Sequence, residues 1–253
     1  MSGNRQDSAS LGAPERAVMA KIDTVIFDLF GTLVDHFMSS VGRMHGAMAE
    51  ALAVPYEEFD PLWIQTTDMR VIGDFETVEA AIEHVLAAMN AQARPEQIES
   101  AVEVRMKSIK DALQPKPQAI ETLNELNHRS YRLGLLSNCS VEIPLLWDET
   151  AFSAAFEKTV FSCLERLKKP DERIYRLTCE RLGVKPQSCL YIADGENYEL
   201  AAAARVGMEP LLIRPSSQET LKELHREARE WPGPAISTLP EVLDLLEDEI
   251  GQS

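Results

Sequence analysis

No run of about 18 consecutive apolar residues occurs in the 253-residue sequence, which excludes a membrane-spanning helix of ordinary length. Basic residues are in short supply: 25 Lys+Arg stand against 41 Asp+Glu, a formal charge of −16. That balance argues against broad contact with a nucleic-acid backbone and against adsorption on anionic lipid. Cysteine is scarce too. The four cysteines, at 139, 163, 179 and 189, form no Cys-x-x-Cys pair and have no spaced histidines beside them. Neither a structural zinc site nor a disulfide framework is therefore expected, and buried free thiols in a cytoplasmic protein are the reading. Met1 to Lys21 lacks the apolar stretch of a secretory signal, and residues 1–20, rich in Ser, Gly and small side chains, read as a flexible tail.

Order is expected from Lys21. Thr24-Val25-Ile26-Phe27 is a short β-rich apolar run that ends on Asp28 and a Gly31-Thr32 turn, the pattern of a buried strand delivering a carboxylate to its end. From about Phe37 to Gln114 the periodicity is helical. Val78, Ile82, Val85 and Met89 make one stripe, and Ile98, Val102, Met106, Ile109 and Leu113 another. Pro115 and Pro117 punctuate its end, and a helix with Ile120, Leu123 and Leu126 follows. Strands are then expected at 132–137, 158–161, 189–193 and 210–213, with helices near 171–182 and 197–206 and Gly207 closing the latter. A short strand at 235–237 and an acidic helix at 239–249 complete the pattern. Strands alternating with helices imply an α/β fold with a Rossmann-like parallel sheet covered on both faces. The domain reading is a core from residues 21–36 and 115–253, with a helical cap inserted at 37–114.

Ligands of open α/β sheets bind outside the carboxyl ends of the strands. The residues expected there are Asp28, Ser137 with Asn138, and Asp194, with Lys169 ahead of a helix. Each alone is more often a turn former or helix cap than a catalyst. Together they supply what phosphoryl chemistry needs: carboxylates for a hard Mg2+ ion or for nucleophilic attack, and a hydroxyl and an ammonium to stabilise the moving charge.

Those same residues lie in segments that resemble a known family. Val25-Ile-Phe-Asp28-Leu-Phe-Gly-Thr-Leu-Val-Asp35 resembles the first motif of the haloacid dehalogenase superfamily, in the subfamily with a helical cap, and Leu135-Leu-Ser137-Asn138 resembles the second. Lys169-Pro170-Asp171 with Ile174-Tyr175 resembles the third, and Tyr191-Ile-Ala-Asp194-Gly-Glu-Asn-Tyr-Glu199-Leu the fourth. The resemblance implies that Asp28 is the nucleophile and a metal ligand. It further implies that Ser137 contacts the phosphoryl group with Asn138 beside it, and that Lys169 orients Asp28. Lys168 is the nearby alternative. Asp194 and Glu199 are implied to hold Mg2+ together with the main-chain carbonyl of Phe30. Thr32 and, in the cap, Arg70 complete the expected substrate contacts. The substrate implied is a small anionic, phosphorylated molecule.

Phe30 departs from the phosphatase pattern, which places there a second Asp as the acid for the leaving alcohol. A benzene ring donates no proton, and general acid–base catalysis is worth roughly 10²- to 10⁴-fold. Asp35, His36 and Asp74 are the candidate replacements. An aromatic residue at this position resembles the dehalogenase branch, whose halide leaves without a proton and whose chemistry uses no Mg2+. Asp194 and Glu199 point the other way. The expectation is a Mg2+-dependent phosphohydrolase, with two alternatives: hydrolytic dehalogenation of a 2-haloacid, and a catalytically weak ligand- or partner-binding protein. In the insertion, Trp63, Arg70 and Phe75 read as substrate contacts or as core, and His84 as a surface histidine. Arg166, Lys168 and Lys169 form a basic cluster in an acidic chain that could attract an anion. Oligomeric state is not readable.

Overall fold

The structure, a computed structural model, describes residues 21–36, 38–214 and 226–250; the tail expected over 1–20 lies outside them. Six parallel strands form one sheet in the order β3-β2-β1-β4-β5-β6. They are β1 (Thr24–Phe27), β2 (Arg132–Ser137), β3 (Lys158–Phe161), β4 (Cys189–Ala193), β5 (Glu209–Ile213) and β6 (Ala235–Ile236). The first four have the bounds expected from sequence. β1 lies in the middle of the sheet and all four of its residues are buried, as its unbroken β-branched and aromatic run requires of a strand covered on both faces. Val25 and Phe27 join a large apolar cluster, while Ile26 joins a second one with Leu136, Val160, Ile174 and Tyr191.

Of the six described helices between β1 and β2, the first five form an insertion. They are α1 (Met38–Leu52), α2 (Tyr56–Gln65), α3 (Thr67–Val71), α4 (Val78–Ala88) and α5 (Pro95–Ala112). The chain segments entering and leaving this insertion are laced together: Val34 pairs antiparallel with Pro115, and Lys116 N–H donates to Leu33 O at 2.8 Å. α4 buries Val78, Ile82 and Val85 as its stripe predicts, with Ala81 and Leu86 alongside. α5 corrects the expected stripe. Its buried face is Ala101, Arg105 and Ile109, while Ile98, Val102 and Met106 are half-buried flanks. A guanidinium takes the centre of that face because a carboxylate from the core meets it there.

The remaining helices are α6 (Ala119–His128), α7 (Glu142–Leu146), α8 (Ser162–Glu165), α9 (Glu172–Leu182), α10 (Glu199–Val206), α11 (Arg226–Glu230) and α12 (Glu241–Ile250). Gly207 caps α10 at φ +99°, as expected of a helix C-terminal glycine. All four cysteines are buried free thiols. No described helix is long and apolar enough to cross a membrane.

Candidate active site

The strand order reverses at β1 and β4, and ligands of such sheets bind at that crevice. β1 delivers Asp28 there, its N–H donating to Ile192 O of β4 at 2.9 Å, and β4 delivers Asp194. The turn that follows Asp28 is tight. Gly31 stands at φ +76°, and a Cβ there would collide with the Asp194 carboxylate and the His36 ring. Thr32 is buried within the turn, with Oγ1 3.4 Å from Asp28 Oδ2. On the other side β2 ends at Ser137, whose hydroxyl is fully buried with no hydrogen-bond partner among the described residues.

Lys169 arrives from the segment ahead of α9, and Asn138 fixes it there. The Asn138 amide donates to Lys169 O at 3.0 Å, and its oxygen accepts Lys169 N–H at 2.8 Å. The Lys169 ammonium then meets Asp28 Oδ1 at 2.5 Å, Glu199 Oε2 at 2.5 Å and the Tyr191 hydroxyl at 3.1 Å. Lys168 faces outward to Asp68 at 2.6 Å, and Arg166 lies 3.6 Å from Asp74. The expected basic cluster is thus dispersed: each cation turns to a different acid, and Lys169 alone enters the site.

Asp28, Asp194 and Glu199 are buried, and each offers an oxygen within 4.8 Å of the others. Burial, reinforced by Asp194, pushes the Asp28 carboxyl up against the pull of Lys169. Burial likewise pushes Glu199 well up, with Asp28 and Asp194 adding to it. Burial and then Asp194 raise Glu196 as well. Burial opposes the charge of Lys169, but Asp28 and Glu199 outweigh it and hold the ammonium protonated. Asp28 and Glu199 therefore share one buried ammonium, while Asp194, the third carboxylate of the group, has His36 Nε2 2.6 Å from its Oδ2. The donor set fits a hard divalent cation, which takes carboxylate oxygens.

Of the three expected proton donors, His36 is the one beside these carboxylates. Asp35 is exposed and lies 3.9 Å from Lys116, and Asp74 faces Arg166. Phe30 is half-buried against the apolar core.

Arg70, on α3, is buried. Its guanidinium stacks on Trp63 at 4.5 Å and bonds to Thr66 Oγ1, Thr67 Oγ1 and Trp63 O, without a carboxylate partner among the described residues. Burial, then the charge of Arg105, lowers it to about 9, which leaves it charged at neutral pH. Next along the chain, Val71 O accepts a bond of 2.7 Å from Ser162 Oγ, which in turn accepts Cys139 N–H at 2.9 Å. Arg70 is tied in this way to the loop that follows Ser137. Trp63 is insertion core, wholly buried and stacked on Phe59.

Two features escaped the sequence reading. Arg105 of α5 meets Glu142 of α7 at 2.6 Å, both buried, joining insertion to core. Tyr191 and Tyr175 flank Glu199: the Tyr191 hydroxyl donates to Glu199 Oε2 at 2.8 Å and the Tyr175 hydroxyl to Glu199 O at 3.0 Å. Both tyrosines lie inside the motif segments, where hydrophobic patterning assigns them to core.

Residues 22–207 match the family model of the haloacid dehalogenase-like hydrolases. The chain is 26% identical over 197 residues to (S)-2-haloacid dehalogenase 4A of Burkholderia cepacia, a match covering 74% of this chain and 81% of that one. It is 23% identical over 239 residues to the glyceraldehyde 3-phosphate phosphatase of Pyrococcus furiosus, covering 92% and 96%. A magnesium complex of a HAD family enzyme from Bacteroides thetaiotaomicron shares the fold, with a TM-score of 0.60 at 17% identity over 80% of this chain and 99% of that one. The chain belongs to the haloacid dehalogenase-like hydrolases and is an enzyme of that superfamily.

Proposed function

We propose that the protein is a Mg2+-dependent phosphohydrolase acting on a small phosphomonoester through an aspartyl-phosphate on Asp28. The observation that carries this reading is the gathering of three buried carboxylates, Asp28, Asp194 and Glu199, with an oxygen of each within 4.8 Å of the others, of which Lys169 pairs with Asp28 and Glu199. Like charges gathered in a desolvated site resist ionisation unless a cation joins them. Asp28, Asp194 and Glu199, with the Phe30 carbonyl, would hold Mg2+, which when bound neutralises charge on the phosphoryl oxygens.

One Asp28 oxygen forms a bond to phosphorus as the ester P–O bond breaks, and the leaving alcohol takes a proton. Water then attacks the phosphorus of the aspartyl ester, gives up a proton, and releases phosphate and Asp28. The buried Ser137 hydroxyl and Lys169 stabilise the transferring group. Thr32 supports Asp28, and Asn138 acts through Lys169 by fixing its main chain. In the insertion over residues 37–114, taken as a cap, Arg70 offers a buried positive charge to the anionic substrate. His36 supplies the proton that Phe30 cannot.

A series of alkyl and aryl phosphates in Mg2+ tests the reading. Phosphate release is expected to vanish in Asp28→Asn. In His36→Ala, rates for alkyl esters are expected to fall by about 10²-fold or more while aryl esters, whose leaving groups need no acid, are spared. Full activity in Asp28→Asn would end the proposal.

The second reading, hydrolytic dehalogenation through an ester at the same Asp28, is favoured by Phe30 and by the likeness to the Burkholderia cepacia enzyme. It predicts halide release that EDTA leaves intact.

A further inference from the structure

We infer that Tyr191 is a positioning residue for transfer to Asp28: its hydroxyl keeps Lys169 engaged with Asp28 and so decides which carboxylate oxygen is free to react. The inference rests on the assignment of Asp28 as nucleophile above.

A lysine ammonium has three N–H donors and no acceptor. Lys169 has three acceptors within reach: Asp28 Oδ1, Glu199 Oε2 and the Tyr191 hydroxyl oxygen, at 2.5, 2.5 and 3.1 Å. Its orientation is therefore fixed. Asp28 Oδ1 is held in that shell, whereas the side-chain contact to Oδ2 among the described residues is the long 3.4 Å one from Thr32. Oδ2 is the oxygen left for attack.

Asp28 and Glu199 compete for the same ammonium, and both are buried. Tyr191 decides the competition. It accepts from Lys169 and donates to Glu199 Oε2 at 2.8 Å, while Glu199 Oε1 accepts the Glu196 N–H at 3.2 Å. With a neutral donor on each of its oxygens, Glu199 draws less on the lysine. Remove the phenol oxygen and a desolvated carboxylate must take its compensation from Lys169, at the expense of Asp28.

Tyr175 provides the control for a role in packing alone. Its ring packs edge-on against Tyr191 with centroids 5.4 Å apart, and both rings are fully buried. Its hydroxyl, however, donates to the Glu199 main chain, outside the charged triangle.

The test compares Tyr191→Phe and Tyr175→Phe in single-turnover rapid quench with para-nitrophenyl phosphate and Mg2+, alongside thermal melts and crystal structures of both variants. Both substitutions are expected to lower the melting temperature by similar amounts. Tyr191→Phe is expected to slow formation of the aspartyl-phosphate about tenfold with KM within about twofold. Tyr175→Phe should lose clearly less. In the Tyr191→Phe crystal the ammonium is expected to shift from Asp28 toward Glu199. An unmoved ammonium, a rate within twofold of wild type, or equal kinetic losses in the two variants would overturn the inference. If wild type itself releases no phosphate, the phosphohydrolase reading falls, and the position of Lys169 in the variant crystal still decides the case for Tyr191.

Discussion

Adjacent lysines show how far a single side chain's setting determines its use. Lys168 reaches outward to exposed Asp68, a pairing worth about 0–1 kcal/mol at most. Lys169, one residue on, is buried between Asp28 and Glu199. Lys169→Met is expected to lower kcat by roughly 10²- to 10³-fold, the usual cost of removing a preorganised charge stabiliser. Lys168→Met is expected to stay near wild type in kcat and within about 0.5 kcal/mol in stability. Steady-state kinetics and urea unfolding on the two variants check both, and equal kinetic losses would contradict the assignment. The placement of Lys169 beside Asp28 was legible through the family resemblance carried by Lys169-Pro170, and those of Asp28, Ser137 and Asp194 from their strand ends. Tyr191 was not legible. Its residue type and strand periodicity spell core, and only the contact between β4 and α10 shows that its hydroxyl touches charge.

Between elements, the join of α5 to α7 is the least expected feature of the fold. Hydropathy counts Arg105 as polar and places it on the outside of α5. It lies instead on the buried face because Glu142, 37 residues further along the chain, meets it. Sequence periodicity carries no information about such a partner, whereas β1, β2, β3 and β4 were readable because their apolar runs are local. Removing one member leaves a buried charge alone, so Arg105→Met is expected to cost about 3–5 kcal/mol. Adding Glu142→Leu to it should recover most of that loss, as read from urea unfolding of the single and double variants.

The pair also sets an acid limb. Burial opposes ionisation of Glu142, but Arg105 outweighs it and lowers the carboxyl from 4.5 to about 2. The folded chain thus binds fewer protons than the unfolded one between those values. The contribution, about 3 kcal/mol, is complete above pH 4.5 and is lost as pH falls toward 2. The stability difference between wild type and Glu142→Gln is expected to shrink across that window, and a difference independent of pH would contradict the account.

At the scale of the whole molecule, a chain of net charge −16 gathers three of its acids into one buried crevice. The fold supplies the place, since β1 and β4 are neighbours in the sheet although more than 160 residues separate their ends. A cation bound there should stabilise the folded state by mass action, about 2.7 kcal/mol at a concentration 100 times its Kd. Mg2+ is expected to raise the melting temperature of wild type and to leave Asp194→Asn nearly unmoved. Equal shifts in both proteins would place the ion elsewhere.

The central claim is that Asp28 accepts phosphorus, with Mg2+, rather than carbon. Acid-quenched enzyme, digested and read by mass spectrometry, tests it after brief exposure to para-nitrophenyl phosphate with Mg2+ and, separately, to 2-chloropropionate with EDTA. The account predicts a phosphoryl group on the peptide containing Asp28 in the first sample, absent without Mg2+ and absent in Asp28→Asn, and no adduct in the second. An ester of the haloacid's carbon on Asp28, formed in EDTA with no phosphoryl adduct in the first sample, would contradict it.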